Sequence, residues 1–146
     1  RSGQPMSVRM TNCGTLGWVT DRDRGYRYQE THPVTGAPWP PLPQRLMEIW
    51  RDVGETPLEP EACLVNFYSD EARMGLHQDR DEREFSAPER KDRTTSVRLE
   101  SGDIVVLGGD SRLLFHGVDR IYPNTSTLLK NGGRINLTLR RVNPAQ

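Results

Sequence analysis

The stretch "GGRINLTLRRV", Gly132–Val142, decides the fold. From Arg134 on, polar residues (Arg134, Asn136, Thr138, Arg140) alternate with apolar ones (Ile135, Leu137, Leu139). Successive side chains of a strand point to opposite faces, so this period of two specifies a β-strand with one polar and one apolar face. The apolar face is expected to pack into a core. The polar face then meets water or lines a cavity. It carries two arginines and no acid, whereas a solvated strand more often mixes Glu and Lys with Arg. A guanidinium is a planar fork suited to a carboxylate. At this point a surface strand with solvated arginines is still the competing explanation.

The segments before it read in the same way. "SRLLFHGVDRI" (Ser111–Ile121) is expected to be a strand carrying His116. "TTSVRLESGDIVVLGG" (Thr94–Gly109) is expected to form two short strands about a Ser-Gly-Asp turn. "EACLVNFYS" (Glu61–Ser69) reads as a buried strand. "PQRLMEIWRDVG" places Leu46, Met47, Ile49, Trp50 and Val53 near helical spacing and stops at Gly54, which predicts a helix. "PVTGAPWPPLP" (Pro33–Pro43) is neither helix nor central strand, because proline removes a donor and fixes φ. "MTNCGTLGWVT" (Met10–Thr20), broken by glycine and ending near Trp18, reads as a hairpin or lid. The expected class is α+β, mainly β, built on a sandwich or barrel.

Composition narrows the function. A chain of 146 residues suits one domain with a real core. Lys plus Arg and Asp plus Glu both number 20, so no global charge calls for a polyanion. A local basic strip through Arg9, Arg22, Arg24 and Arg27 competes with an ordinary solvated surface. Cys13 and Cys63 give no disulfide framework and no cysteine-rich metal site, which fits a reducing cytosol. No run of about 20 apolar residues and no secretory core is visible, and the chain opens at Arg1 rather than methionine.

Chemistry concentrates in "MGLHQDRDE", Met74–Glu82. His77 and Asp79 are two apart and would share one face of a strand. With His116 on a second strand they form two imidazoles and a carboxylate, a facial ligand set for a divalent metal with open positions, as non-haem iron(II) oxygenases use. Three such residues alone are a weak signal, since scattered histidines are often structural.

"CLVNFY", "LHQDRDE", "SRLLFHG" and "RINLTLR", in this order, resemble the AlkB family of Fe(II)/2-oxoglutarate-dependent nucleic-acid dealkylases. "MTNCGTLGW" and "APWPPLP" upstream resemble its bacterial members, so the likeness covers nearly the whole chain. The resemblance implies a double-stranded β-helix (jelly-roll) with an N-terminal lid hairpin and a supporting helix. It divides one domain into a nucleotide-recognition lid with a Pro-rich loop over 1–43 and a helix with jelly-roll over 44–146. It implies His77, Asp79 and His116 as iron ligands. Arg134 would pair with the far carboxylate of 2-oxoglutarate, and Arg140 would sit near its iron-bound end. Asn66, Tyr68 and Asn136 would face the same cosubstrate. Trp18 would stack on a flipped base with the His77 ring on its other side. Tyr26 resembles a phosphate contact, and Asp81 the acid that reads the exocyclic amine. Alternation puts His77, Asp79 and Asp81 on one face only while the strand stays regular, so a bend is expected near Asp79. Glu82 is expected to face solvent, and His32, in "THPVTG", to be structural.

The implied reaction is oxidative dealkylation of N1-methyladenine and N3-methylcytosine in single-stranded or flipped-out DNA or RNA. It consumes 2-oxoglutarate and O₂ at Fe(II) and releases formaldehyde, succinate and CO₂. The implied enzyme is a cytoplasmic monomer with no membrane partner. The alternatives are a 2-oxoglutarate oxygenase acting on a protein or small molecule, and a non-catalytic jelly-roll binding module. Trp18 facing Asp81 argues against the first, and the intact ligand and arginine set against the second. One feature departs from the family: "EFSAP" (Glu84–Pro88) runs directly into "ERKDRTTSVRLESGD", with no apolar strand, turn and second strand between. The junction at Pro88–Glu89 reads as residues missing from the chain as written rather than as a native deletion.

Overall fold

The computed structural model describes residues 8–54, 56–79 and 93–143. Its strands are β1 (Val8–Gly14), β2 (Gly17–Asp21), β3 (Gly25–Gln29), β4 (Ala62–Tyr68), β5 (Met74–His77), β6 (His116–Val118) and β7 (Arg134–Arg140), with one α-helix, α1 (Gln44–Val53). They form a three-stranded sheet in the order β1-β4-β7 and two antiparallel pairs, β2-β3 and β5-β6. The chain divides into two compact units, one built on Tyr68–Arg134, the other on Arg9–Phe67 and Ile135 onward. No helix among the described residues is long and apolar enough to cross a membrane.

The three-stranded sheet is antiparallel. Arg9 lies over the Phe67 ring and the Cys13 thiol hydrogen-bonds that of Cys63, so residue numbers rise on β1 as they fall on β4. Glu61 N–H to the Arg140 carbonyl (2.9 Å) and Asn66 to Asn136 (3.3 Å) set the same relation between β4 and β7. β4 is therefore central. It carries much of the buried core, Ala62, Cys63 and Tyr68, as its continuous apolar run requires.

α1 forms where expected. Pro43 precedes it, accepting from Leu46 N–H at 2.9 Å, and Gly54 N–H closes it on the Trp50 carbonyl at 2.7 Å. Trp50 Nε1–H donates to the Leu58 carbonyl (2.9 Å) and Arg51 pairs with Glu59 (2.8 Å), which ties the helix to the loop that leads into β4. The Pro-rich segment stays irregular, with one isolated bridge between Thr31 and Pro38. His32 is structural: its Nδ1 accepts from Val34 N–H and Thr35 N–H, and its ring meets Trp39 edge-on.

Four expectations need correction. The hairpin is not Met10–Thr20, because β1 pairs with β4 and β2 turns back into β3. Gly25 at φ +66 and the Asp21 carboxylate, which accepts from Asp23 N–H and Arg24 N–H, form that turn. The Thr94–Gly109 stretch keeps its turn, with Asp103 N–H on the Glu100 carbonyl and Glu100 N–H on the Asp103 carboxylate, but its flanks are not strands. Val97 is 74% exposed, and Ile104, Val105 and Val106 are exposed with it. A strand needs a neighbour for its ladder and its apolar face, and among the described residues these flanks have neither. The strand carrying His116 is only His116–Val118, preceded by a 3₁₀ turn at Gly109–Ser111. In β7 the half-buried face is the polar one, because its groups find partners on β3 and β4, while Ile135 (44%) and Leu137 (42%) are exposed.

Candidate active site

His77 ends β5 and pairs with His116, the first residue of β6. The ladder is irregular between Met74 and His77, and Asp79 lies two residues past the end of β5. His77 Nδ1 meets the Gly75 carbonyl at 2.9 Å and His116 Nδ1 meets the Leu114 carbonyl at 3.0 Å. A carbonyl accepts, so each Nδ1 is the donor there and each Nε2 is left to face the site. Both Nε2 atoms turn to Asp79, at 3.7 Å from Oδ1 for His77 and 3.5 Å from Oδ2 for His116. The rings are 4.5 Å apart, and one donor atom from each of the three residues lies within 4.8 Å of the others. Two imidazoles, oriented through their far nitrogens, and one carboxylate suit iron(II). All three are part-exposed, which leaves a route for further ligands.

Tyr68 and Arg134 belong to the same unit as the triad. The Arg134 guanidinium lies over the Tyr68 ring, 5.5 Å from its centroid. Burial pushes the Tyr68 phenol pKa up, Arg134 opposes this, and the Asp79 charge adds to it. The phenol therefore stays protonated at neutral pH and contacts Met74 Sδ at 3.5 Å. Its sensitivity to Asp79 places Arg134, Tyr68 and the triad in one electrostatic neighbourhood.

Within the other unit, Asn66 and Asn136 join their amides at 3.3 Å, and Thr138 Oγ1 meets Asn136 Oδ1 at 3.1 Å. Asn66 Oδ1 is buried with no partner. The same contacts are met with both amides turned over, since amide O and N are assigned from their bonds. The orphan then becomes an N–H donor, which suits an anionic cosubstrate. Arg140 Nη1 donates to Tyr28 Oη at 2.7 Å.

The β2-β3 hairpin presents a face of aromatic rings. Trp18 pairs with Tyr28 and Thr20 with Tyr26, so all four share one face. Trp18 and Tyr26 stack at 5.4 Å and 24°, with Tyr26 67% exposed. Asn12 brackets Trp18, donating to its carbonyl (2.9 Å) and accepting from its N–H (3.0 Å). Arg27 lies on the opposite, half-buried face and pairs with Asp21 at 2.5 Å, a structural ion pair rather than part of an open basic strip. Arg22 and Arg24 remain exposed. Asp81, Glu82 and the Pro88–Glu89 junction lie outside the described residues.

The sequence reading missed Tyr28, Thr138, Gln78 and Arg112. Tyr28 was legible, being two residues from Tyr26 on one strand. Gln78 and Arg112 act through backbone carbonyls, which no side-chain pattern records.

Two imidazoles and one carboxylate with room for further ligands are the set that non-haem iron(II) oxygenases use. The 2OG-Fe(II) oxygenase superfamily matches residues 1–88 and 85–140. The chain is 51% identical over 160 residues to "Alpha-ketoglutarate-dependent dioxygenase AlkB homolog" of Caulobacter vibrioides, covering 98% of this chain and 72% of that protein. It is 38% identical over 161 residues to "Alpha-ketoglutarate-dependent dioxygenase AlkB" of Escherichia coli K12, covering 96% and 74%. The structure of OsALKBH1 superposes with a TM-score of 0.72 at 30% identity, over 97% of this chain and 81% of that one. The chain belongs to the AlkB family, the nucleic-acid dealkylase branch of that superfamily, and has its jelly-roll fold. Its cofactor set is Fe(II), 2-oxoglutarate and O₂.

Proposed function

We propose that this dioxygenase removes small alkyl groups from the ring nitrogens of nucleobases, with N1-methyladenine and N3-methylcytosine in single strands as preferred substrates. The observation that carries this is the convergence of His77 Nε2, His116 Nε2 and the Asp79 carboxylate within 4.8 Å. Iron(II) bound there supplies O₂ activation coupled to decarboxylation of 2-oxoglutarate.

The chain's own residues do the rest. Arg134 holds the far carboxylate of the cosubstrate with its guanidinium fork, and the Tyr68 ring lies beneath that fork. Asn66, Asn136 and Arg140, the last bonded to Tyr28, are assigned to the cosubstrate from their places in the motifs. Trp18 stacks on the extruded base, and Tyr26, at the exposed end of the hairpin, contacts phosphate with Arg22 and Arg24. Methylation at either ring nitrogen adds positive charge and blocks pairing, which lowers the cost of extrusion and favours an acid. Asp81 is assigned that role from its place in the motif. Oxidation of the N-methyl group releases it as formaldehyde, beside succinate and CO₂.

We further propose that the enzyme is a cytoplasmic monomer of one domain, with a recognition lid over 1–43 and a helix with jelly-roll over 44–146. A segment is missing between Pro88 and Glu89. Two findings support that gap: the Caulobacter alignment spans 160 positions against a chain of 146 residues, and the superfamily matches in two stretches that meet at 85–88.

The test is formaldehyde release from a single-stranded oligonucleotide holding one N1-methyladenine, with Fe(II), 2-oxoglutarate and O₂, beside Asp79→Ala. Release by the parent and none by the variant is expected. Succinate without formaldehyde, whether or not oligonucleotide is present, would overturn the nucleobase assignment in favour of another oxygenase substrate.

A further inference from the structure

Among the described residues, no strand includes Asp79. β5 ends at His77, and Gln78 and Asp79 run on outside any ladder. A metal site needs its ligands held to about half an ångström, which an unladdered backbone does not provide by itself. Yet the two Asp79 oxygens sit at matched distances from the two imidazoles.

Two side chains contribute to this. Gln78 Nε2 donates to the Leu113 carbonyl at 2.6 Å, and the Arg112 guanidinium donates to the main-chain carbonyl of Asp79. Both bonds cross to one dipeptide, Arg112–Leu113, which leads into His116. That dipeptide is itself anchored. Arg112 N–H closes the 3₁₀ turn on the Gly109 carbonyl at 3.1 Å, and Ser111 Oγ bonds both the N–H and the carbonyl of Gly108. All of these groups lie in one compact unit.

We propose that Gln78 and Arg112 are positioning residues for the metal centre, and that together they set the distance between Asp79 and His116. This rests on the assignment of His77, Asp79 and His116 as metal ligands. Gln78 fixes the backbone on one side of Asp79, and Arg112 fixes the carbonyl on the other. The carboxylate between them is left with little more than its own side-chain rotation. Outer-sphere partners of this kind change metal affinity by about 10–100-fold when removed.

The experiment is Co²⁺ titration of the full chain without cosubstrate, read by the visible absorption of the bound ion, alongside thermal unfolding of each apoprotein. Gln78→Met keeps length and loses the donor, Gln78→Asn keeps the amide but falls one methylene short, and Arg112→Met removes the guanidinium. Each is expected to weaken Co²⁺ binding about tenfold or more, while Arg112→Lys, which keeps a cationic donor, recovers part of the loss. Affinity within twofold of the parent for Gln78→Met overturns the inference, because a merely structural bond would move the unfolding midpoint and not the titration. Should Gln78→Met not fold, the Arg112→Lys and Arg112→Met pair decides, and equal affinities overturn it. A parent chain that binds no Co²⁺ overturns the triad assignment itself, and the inference with it.

Discussion

Arg134 shows how much a single side chain decides. Its guanidinium lies over the ring of Tyr68, 5.5 Å from the centroid, a ring that is buried and stays neutral. Lysine would keep the charge and lose both the fork and the stacking. Arg134→Lys is expected to raise KM for 2-oxoglutarate by about tenfold or more with little change in kcat, as succinate formation against cosubstrate concentration would show. An unchanged KM would place the far carboxylate elsewhere. At this scale the sequence was informative where function needs particular side chains. Two histidines and a carboxylate were legible because few residues do their chemistry. Gln78 and Arg112 were not, because their partners are the carbonyls of Leu113 and Asp79, and a carbonyl is the same in every residue.

At the scale of the element, β7 depends on its end. Glu61, just before β4, accepts from Val142 N–H (2.9 Å) and Asn143 N–H (2.8 Å) and lies 3.4 Å from Arg141. Burial pushes the Glu61 carboxyl up, but the bonds from Asn143 and Val142 and the Arg141 charge outweigh it and hold the pKa below its usual value. A lowered folded pKa stabilises the native state above the unfolded pKa, about 4.3 for glutamate. That contribution disappears as pH falls through the folded value. Glu61→Gln is therefore expected to cost about 1–2 kcal/mol at neutral pH, with the parent and variant converging in acid, as urea unfolding at several pH values would check. A pH-independent difference would mean the carboxylate charge plays no part. The elements also show what a local pattern can tell. α1 and β4 carry their own signals, a helical apolar spacing and an unbroken apolar run. Thr94–Gly109 carries a strand pattern too, but a strand is completed by its neighbour, and pattern alone does not record whether one is present.

The molecule as a whole carries apolar surface that its core does not use. Val97, Ile104, Val105 and Val106 flank an intact turn in the open, and Ile135 and Leu137 are exposed on β7. Inserting the strand-turn-strand segment of a homologue at Pro88–Glu89 is expected to cover part of this surface. Unfolding should then require at least about 2 kcal/mol more, roughly one buried aliphatic side chain, and binding of a hydrophobic dye should fall. No gain in stability would show that the chain is complete without that segment. The face of β7 was read the wrong way round for a related reason. Alternation fixes which residues share a side, and only the rest of the fold decides which side is covered. The polar side is the covered one here, because its groups find partners on β3 and β4.

The hairpin also gives the protein its own optical signal. Of the three tryptophans, Trp39 and Trp50 have their indole N–H groups committed to the carbonyls of Gln29 and Leu58, while Trp18 lies ring to ring with Tyr26. Only Trp18 shares the open aromatic face of the hairpin, where a nucleobase would stack. Intrinsic emission should therefore divide into a constant background from two indoles and one component that dims as a base slides onto Trp18. An unlabelled oligonucleotide titrated into the apoprotein would report its own binding in that way. Trp18→Phe would keep the emission of Trp39 and Trp50 and leave the titration dark.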